Sequence, residues 1–174
     1  MGSGGRIIKC GCQEVRVLDG VGMAFPMVYQ ETVADIKAGK YGDTMKYIMK
    51  NMNFVTVDTT NKIYHCKKCG HLETMQVLNL YLPKDTEKIK KKVINRWTAA
   101  EPNSKMTIGE LGEFPYWLPN DKDSNDFIMF YRFKHDCPIC GTKMSGVKVR
   151  RITDEKCPKC GQNYQVQNLD ILWD

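Results

Sequence analysis

The motif that decides the fold is Cys137-Pro138-Ile139-Cys140-Gly141, which recurs as Cys157-Pro158-Lys159-Cys160-Gly161. Two cysteines separated by two residues can turn both sulfurs towards one ion, and the following glycine accepts the positive φ that closes such a turn. Sixteen residues separate the two copies, which is within the spacing typical of a structural zinc site with four cysteines. The sequence therefore predicts that these four thiolates bind one zinc ion.

Four further cysteines form a second candidate site, namely Cys10, Cys12, Cys66 and Cys69. The first two lie in a tight C-x-C turn, and the other two lie in a C-x-x-C-G turn. Because the last four cysteines already form a complete set, elimination predicts that these four bind a second zinc ion. His65 and His71 flank the second turn, and either imidazole could replace a thiolate.

Composition predicts a globular protein of the cytoplasm. The chain has 174 residues, of which 42% are hydrophobic, and no apolar run approaches the roughly 18–20 residues that span a bilayer. The first six residues, Met-Gly-Ser-Gly-Gly-Arg, lack the apolar segment of a signal peptide. Six of the eight cysteines lie in C-x-x-C pairs, which favours metal ligation in a reducing compartment over disulfides.

The net charge gives little reason to expect nucleic acid as a partner. The formal charge is +6, from 26 Lys and Arg against 20 Asp and Glu. A zinc ion held by four thiolates carries a net charge of −2, so two filled sites would lower the total to about +2. Nucleic-acid binding is possible but not favoured, and a protein partner is possible.

Hydrophobic periodicity predicts three helices between the cysteine motifs. Pro26 is well placed to begin a helix that Gly39 ends, with Tyr29, Val33 and Ile36 on one face. Asp43 can cap a second helix, whose apolar positions are Met45, Ile48, Met49 and Met52. Asp85 or Thr86 can cap a third, with an apolar stripe at Ile89, Val93 and Trp97 and basic residues at Lys88, Lys90, Lys91, Lys92 and Arg96. The basic residues are expected to form a solvated face, with a phosphate-binding or acidic-partner surface as the alternative.

Strands are predicted at residues 6–10, 13–18, 54–57, 62–65, 72–82, 127–133, 147–152 and 164–172. Residues 100–126 contain three prolines and a polar run, which indicates an irregular linker or lid. We expect its aromatic residues, Phe114, Tyr116 and Trp117, to dock on the body of the protein, with a ligand-facing wall as the alternative. His135 is expected to be a surface residue or to lie just behind the metal ligands.

The predicted fold is α+β, with two zinc-ribbon-like β units joined by a basic helix and an irregular linker. Residues 1–83 would form the first metal-centred unit, with a helical insertion at 26–52. Residues 84–126 would contain the basic helix and linker, and residues 127–174 would form the C-terminal ribbon.

Two resemblances support this organisation. Residues 127–174 resemble the zinc-ribbon superfamily, in which two knuckles at hairpin tips clamp one zinc ion. The whole chain is similar to a group of small bacterial zinc-ribbon-containing proteins with no assigned activity, through Gly20-Val21-Gly22-Met23-Ala24-Phe25-Pro26, Val28-Tyr29-Gln30-Glu31-Thr32 and Ile171-Leu172-Trp173-Asp174. Such relatives tend to carry C-x-x-C at the first knuckle, from which Cys10-Gly11-Cys12 departs.

These observations predict a zinc-stabilised structural or adaptor protein that is not an enzyme. Four cysteines close the tetrahedron around zinc and leave no position for water or substrate. One alternative is electron transfer through iron, because C-P-x-C-G is also the knuckle of rubredoxins. The other is a zinc ribbon that binds nucleic acid.

Overall fold

The computed structural model describes residues 5–18, 26–100 and 124–169, and these form a mixed α+β protein, as predicted. The helices are α1 (Pro26–Ala38), α2 (Asp43–Asn51), α3 (Thr86–Ala100) and α4 (Val149–Ile152), with a 3-10 helix at Ser124–Asp126. The strands are β1 (Gly5–Cys10), β2 (Gln13–Leu18), β3 (Thr56–Val57), β4 (Asn61–His65), β5 (Leu72–Gln76), β6 (Leu80–Pro83), β7 (Phe127–Tyr131), β8 (Ser145–Val147) and β9 (Gln165–Leu169). None of the described helices is long and apolar enough to cross a bilayer.

The chain divides into two compact units, and each unit is built from separated segments. The ribbon unit combines residues 1–23, 60–77 and 133–174, and the helical unit combines residues 24–59 and 78–132. This division differs from the three consecutive segments expected from the sequence. All eight cysteines belong to the ribbon unit, so the candidate thiolate metal sites lie in that unit.

The ribbon unit contains two three-stranded antiparallel sheets of the same design. In one, the β1–β2 hairpin is extended by β9, which pairs with β1. In the other, the β4–β5 hairpin is extended by β8, which pairs with β4. In the sequence, the three strands of the second sheet all lie between β2 and β9 of the first. We call β1, β2 and β9 the outer ribbon and β4, β5 and β8 the inner ribbon.

One apolar cluster joins the two ribbons. Its buried members are Ile8, Val17, Ile63, Leu72, Ile152, Cys157 and Tyr164. Residues from β1 and β2 therefore pack with residues from β4 and β5, and Ile152 of α4 is completely buried among them. A second cluster lies within the inner ribbon and contains Tyr64, Cys66, Cys137 and Met144.

The helical unit confirms most of the predicted helix patterns. Tyr29, Val33 and Ile36 of α1 are buried, and Gly39 follows the last helical residue with a φ of 96°. Asp85 caps α3, because its Oδ1 accepts a hydrogen bond of 2.9 Å from the Lys88 backbone N–H. Ile89 is buried as expected.

The predicted cap of α2 was wrong. Gly42 occupies the N-cap position with a φ of 93°, and Asp43 is the first helical residue. A positive φ is the reason that glycine is found there, since aspartate would be strained. Met45 and Met49 are buried as expected, whereas Met52 is 40% exposed.

Three of the predicted strands differ in the structure from what the sequence indicated. Residues 72–82 form two strands in different sheets, because Leu78 has a φ of 59° and breaks the extended chain between β5 and β6. β7 pairs with β6 in the helical unit and is not part of a C-terminal ribbon. Residues 147–152 contain the end of β8 followed by α4, since Val149 and Ile152 lie three residues apart on one helical face.

Several expectations lie outside the described residues. These are the linker and its aromatic residues, the glycine-rich stretch at 20–25, the chain after residue 169, and the side chains of Val93, Arg96 and Trp97.

Candidate metal centres

The structure gathers the eight predicted cysteines into two groups of four, but with different membership from that predicted. The outer centre consists of Cys10, Cys12, Cys157 and Cys160. The inner centre consists of Cys66, Cys69, Cys137 and Cys140. The expectation that the last four cysteines share one site was therefore wrong, and so was the pairing by elimination that depended on it.

Strand pairing explains this crossed arrangement. Each C-terminal knuckle is followed by its own strand, and the two strands join different hairpins. The chain after Cys140 forms β8, which pairs with β4 just before Cys66. The chain after Cys160 forms β9, which pairs with β1 just before Cys10. β8 and β9 do not pair with each other in the described sheets, so their knuckles separate.

Three of the four knuckles have the same backbone geometry. In each C-x-x-C-G turn, the first cysteine's carbonyl accepts a hydrogen bond from the glycine N–H, and its own N–H donates to the residue after that glycine. The glycines Gly70, Gly141 and Gly161 have φ values of 77°, 69° and 72°. This positive φ is the conformation that glycine adopts without strain. Backbone hydrogen bonds thus close all three turns.

The fourth knuckle is shorter. Cys10 pairs with Gln13 across the β1–β2 hairpin, so Gly11 and Cys12 form a two-residue turn. Cys12 is exposed, whereas no cysteine of the inner centre is exposed. The outer centre is consequently the more accessible of the two.

The sulfur positions fit a tetrahedral metal site. Within each group, all four Sγ atoms lie within 4.8 Å of one another. The Sγ atom of Cys12 lies 3.6 Å from those of Cys10 and Cys157, and the Sγ atoms of Cys66 and Cys140 are 3.5 Å apart. A zinc ion with Zn–S bonds of about 2.3 Å requires sulfurs about 3.8 Å apart. Disulfide sulfurs are about 2.05 Å apart, and all eight cysteines are free.

The protonation behaviour of the thiols also suits a cation. The hydroxyl and backbone N–H of Thr142 lower the pKa of Cys140 to about 6. Desolvation opposes ionisation of Cys157, but hydrogen bonds from backbone N–H groups, those of Cys160 and Lys159, help to lower its pKa to about 6. Desolvation and neighbouring thiols raise the pKa of Cys12 and of Cys69 to about 12. Each group thus has one thiol whose pKa is lowered and one whose pKa is raised, and a cation bound among the sulfurs would favour the thiolate form of both.

The histidines lie outside both groups of sulfurs. His65 is buried, and its Nε2 and Nδ1 lie 3.2 Å from the Tyr164 hydroxyl and 2.9 Å from Glu155 Oε2. His71 lies 3.2 Å from Glu73. The alternative in which one of them replaces a thiolate therefore has no geometric support.

His135 is not a surface residue. It is 8% exposed, its Nε2 lies 2.8 Å from the Gln76 carbonyl oxygen, and its ring contacts Tyr64 and Phe133. Burial lowers its pKa, which favours the neutral imidazole. His135 therefore packs against β4 and β5 of the inner ribbon.

A cleft of about 490 Å³ opens beside both centres. It is lined by residues of all four knuckles, among them Cys12, Cys69, Lys68, Lys159 and Ile139, together with His71. Ile139 is 69% exposed at the tip of its knuckle. Sequence reasoning did not identify this surface, because its residues come from motifs that were assigned to different sites.

Comparison with protein-family models, with curated proteins and with solved structures finds no match for this chain. The functional argument therefore rests on the two groups of sulfurs. They could hold two metal ions, and they are consistent with zinc-ribbon-like units.

Proposed function

We propose that this protein binds one zinc ion at each centre and acts as a non-catalytic binding or adaptor protein. The observation that supports this function is the closed set of four Sγ atoms in each ribbon. Sites with four protein ligands stabilise folds, whereas catalytic zinc sites keep one position for water or substrate. The thiolates must remain reduced, so we also place the protein in a reducing compartment such as the cytoplasm.

Metal analysis of the purified full-length protein tests this proposal. We expect two zinc ions per chain, and their removal by a chelator should unfold the ribbon unit, because free energy of metal binding contributes to folding. Protein purified without added metal should be colourless. Visible absorption from iron bound to thiolates would instead support the electron-transfer alternative. A protein that binds no metal would refute both.

The cleft supplies the most suitable binding surface for an adaptor. It combines the exposed Ile139 with two lysines, Lys68 and Lys159, on a scaffold that the metal ions would make rigid. Ile139→Ser should weaken partner binding and leave the zinc content at two ions per chain. Partner binding that is unchanged in this variant would place the interface elsewhere.

Charge does not favour nucleic acid as the partner. The segments of the ribbon unit carry 13 Lys and Arg against eight Asp and Glu, a net charge of +5. Two four-thiolate zinc sites would contribute −4 and leave about +1. Binding to duplex DNA in filter assays, with an affinity that falls steeply as salt increases, would contradict this argument.

A further inference from the structure

The two candidate metal centres are connected through the side chain of Tyr164. This residue directly precedes β9 of the outer ribbon and is 2% exposed. Its hydroxyl donates a hydrogen bond of 3.0 Å to the carbonyl oxygen of Gly70. Gly70 ends the inner-ribbon knuckle that contains Cys66 and Cys69. The amide of Gln13 donates to the same carbonyl oxygen. The Gly70 carbonyl oxygen therefore accepts hydrogen bonds from two side chains, those of Gln13 in β2 and of Tyr164 just before β9.

Gly70 also packs directly on the outer centre. A Cβ atom at this position would lie 3.0 Å from the Sγ of Cys157 and 3.0 Å from the Cδ of Pro158. At Gly141 and Gly161, a Cβ would have no neighbour within 4 Å. All three glycines have a similar positive φ, so the contact with a metal-ligand sulfur is what distinguishes Gly70.

A second connection runs through His65, which precedes Cys66. Its ring contacts Tyr164 edge-on at 5.4 Å between centroids, and its Nδ1 lies 2.9 Å from Glu155. Glu155 and Tyr164 flank the knuckle that begins at Cys157. The structure thus joins both sides of one outer knuckle to the start of an inner knuckle.

We propose that the two centres bind metal cooperatively through Gly70 and Tyr164, an inference that rests on the proposed zinc binding. A metal ion at the inner centre fixes the turn from Cys66 to Gly70. The fixed Gly70 carbonyl orders Tyr164 beside Cys157, so the outer centre binds its ion more tightly. The coupling is reciprocal, and coupled sites commonly change each other's affinity by about 5- to 150-fold.

Cysteine alkylation resolved by peptide mass spectrometry tests this coupling in the zinc-loaded full-length chain under a chelator challenge. Cys140→Ser removes an inner ligand that lies on the opposite knuckle from Gly70. We expect it to speed alkylation of Cys157 and Cys160 by about 5- to 150-fold. In a Tyr164→Phe background, which keeps every ligand, the same change should have a smaller effect. An unchanged rate with Cys140→Ser, or an undiminished factor in the Tyr164→Phe background, would overturn the proposal.

A matched pair of glycine variants decides the question if Cys140→Ser does not fold. Gly70→Ala and Gly141→Ala introduce the same backbone strain into the inner ribbon, and zinc is supplied until Cys66 is protected in both. We expect Gly70→Ala alone to speed alkylation of Cys157, because only its Cβ meets that sulfur. Equal rates in the two variants would refute the coupling. If zinc fails to protect any cysteine of the wild-type chain, the proposed metal binding itself is wrong.

Discussion

Pairs of serine substitutions can test how the eight cysteines are grouped. One possibility is the grouping in the structure, and the other is the grouping predicted from the sequence, in which Cys137, Cys140, Cys157 and Cys160 share one site. Cys10→Ser with Cys157→Ser removes two ligands from the outer centre and leaves the inner centre complete. Cys10→Ser with Cys66→Ser removes one ligand from each centre. Because a structural zinc site uses four protein ligands, the first variant should retain one zinc ion per chain and the second none.

The number of zinc ions that each variant retains depends on the free energy with which a complete site binds zinc. A structural zinc site with its full ligand set binds with an apparent free energy of about 10–16 kcal/mol at neutral pH. It therefore keeps its ion against a chelator of micromolar Kd, which corresponds to about 8 kcal/mol. A set of three thiolates lacks one charged ligand and should lose its ion to that chelator.

The assay is zinc content after gel filtration in the presence of the chelator. Cys66→Ser with Cys137→Ser serves as the matched control, since both ligands belong to the inner centre, and it should retain one ion at the outer centre. One ion in the Cys10/Cys66 variant together with none in the Cys10/Cys157 variant would show that neighbouring motifs pair, and the geometry argued above would be wrong.

Three further outcomes are expected. Met45 is completely buried, so Met45→Ala should lower the free energy of unfolding in urea by about 2–5 kcal/mol, whereas Met52→Ala, at a position 40% exposed, should change it by less than about 0.5 kcal/mol. His71→Ala should leave two zinc ions per chain, because His71 lies outside both sulfur groups; loss of an ion would make it a ligand. Thiol titration after denaturation with a chelator but no reductant should find eight reactive cysteines, and fewer would indicate disulfides.

The helices could be predicted because their signals are local. Pro26 begins α1, Gly39 follows its end, and Asp85 caps α3, each at the position the sequence indicated. These residues act through their own φ preferences or through a hydrogen bond to a backbone group three residues away. Local chemistry of this kind does not depend on distant segments.

The partners of the cysteines could not be predicted by spacing, because four knuckles of similar chemistry can pair in several ways. The grouping depends on which hairpin pairs with β8 and which pairs with β9. Such pairing joins residues about 80 apart in the sequence, for example Tyr64 with Gly146, and leaves no local signal. One clue was present in the sequence. After each C-P-x-C-G motif the chain continues in a similar way, with Met144 and Tyr164 at matching positions. Two equivalent copies, each with its own strand, would each need a separate hairpin.

Two lysines of the basic helix α3 are engaged within the helical unit, which disfavours the alternative that this helix is a phosphate-binding or acidic-partner surface. Lys88 Nζ lies 2.8 Å from Asp126 Oδ1, and Lys92 contacts the other carboxylate oxygen. Hydrogen bonds from Lys88 and then Lys92 lower the pKa of Asp126 to about 2. Lys88→Glu and Lys92→Glu would therefore break contacts between α3 and Asp126.

Asp126→Asn should accordingly lower the melting temperature at pH 7, and Asp35→Asn, which breaks an exposed pair with Lys40, serves as the control with little effect. Because the folded-state pKa of Asp126 is depressed, its contribution is complete above the unfolded value of about 3.8 and is lost as the pH falls towards 2. The difference between Asp126→Asn and the wild type should therefore shrink across that interval when the helical unit is followed by NMR.

Lys91→Glu should leave the melting temperature unchanged, since Lys91 is exposed and lies outside these contacts. If Lys91→Glu destabilises the protein as much as Asp126→Asn, then α3 responds to its total charge, and the specific contacts of Lys88 and Lys92 with Asp126 are not the cause.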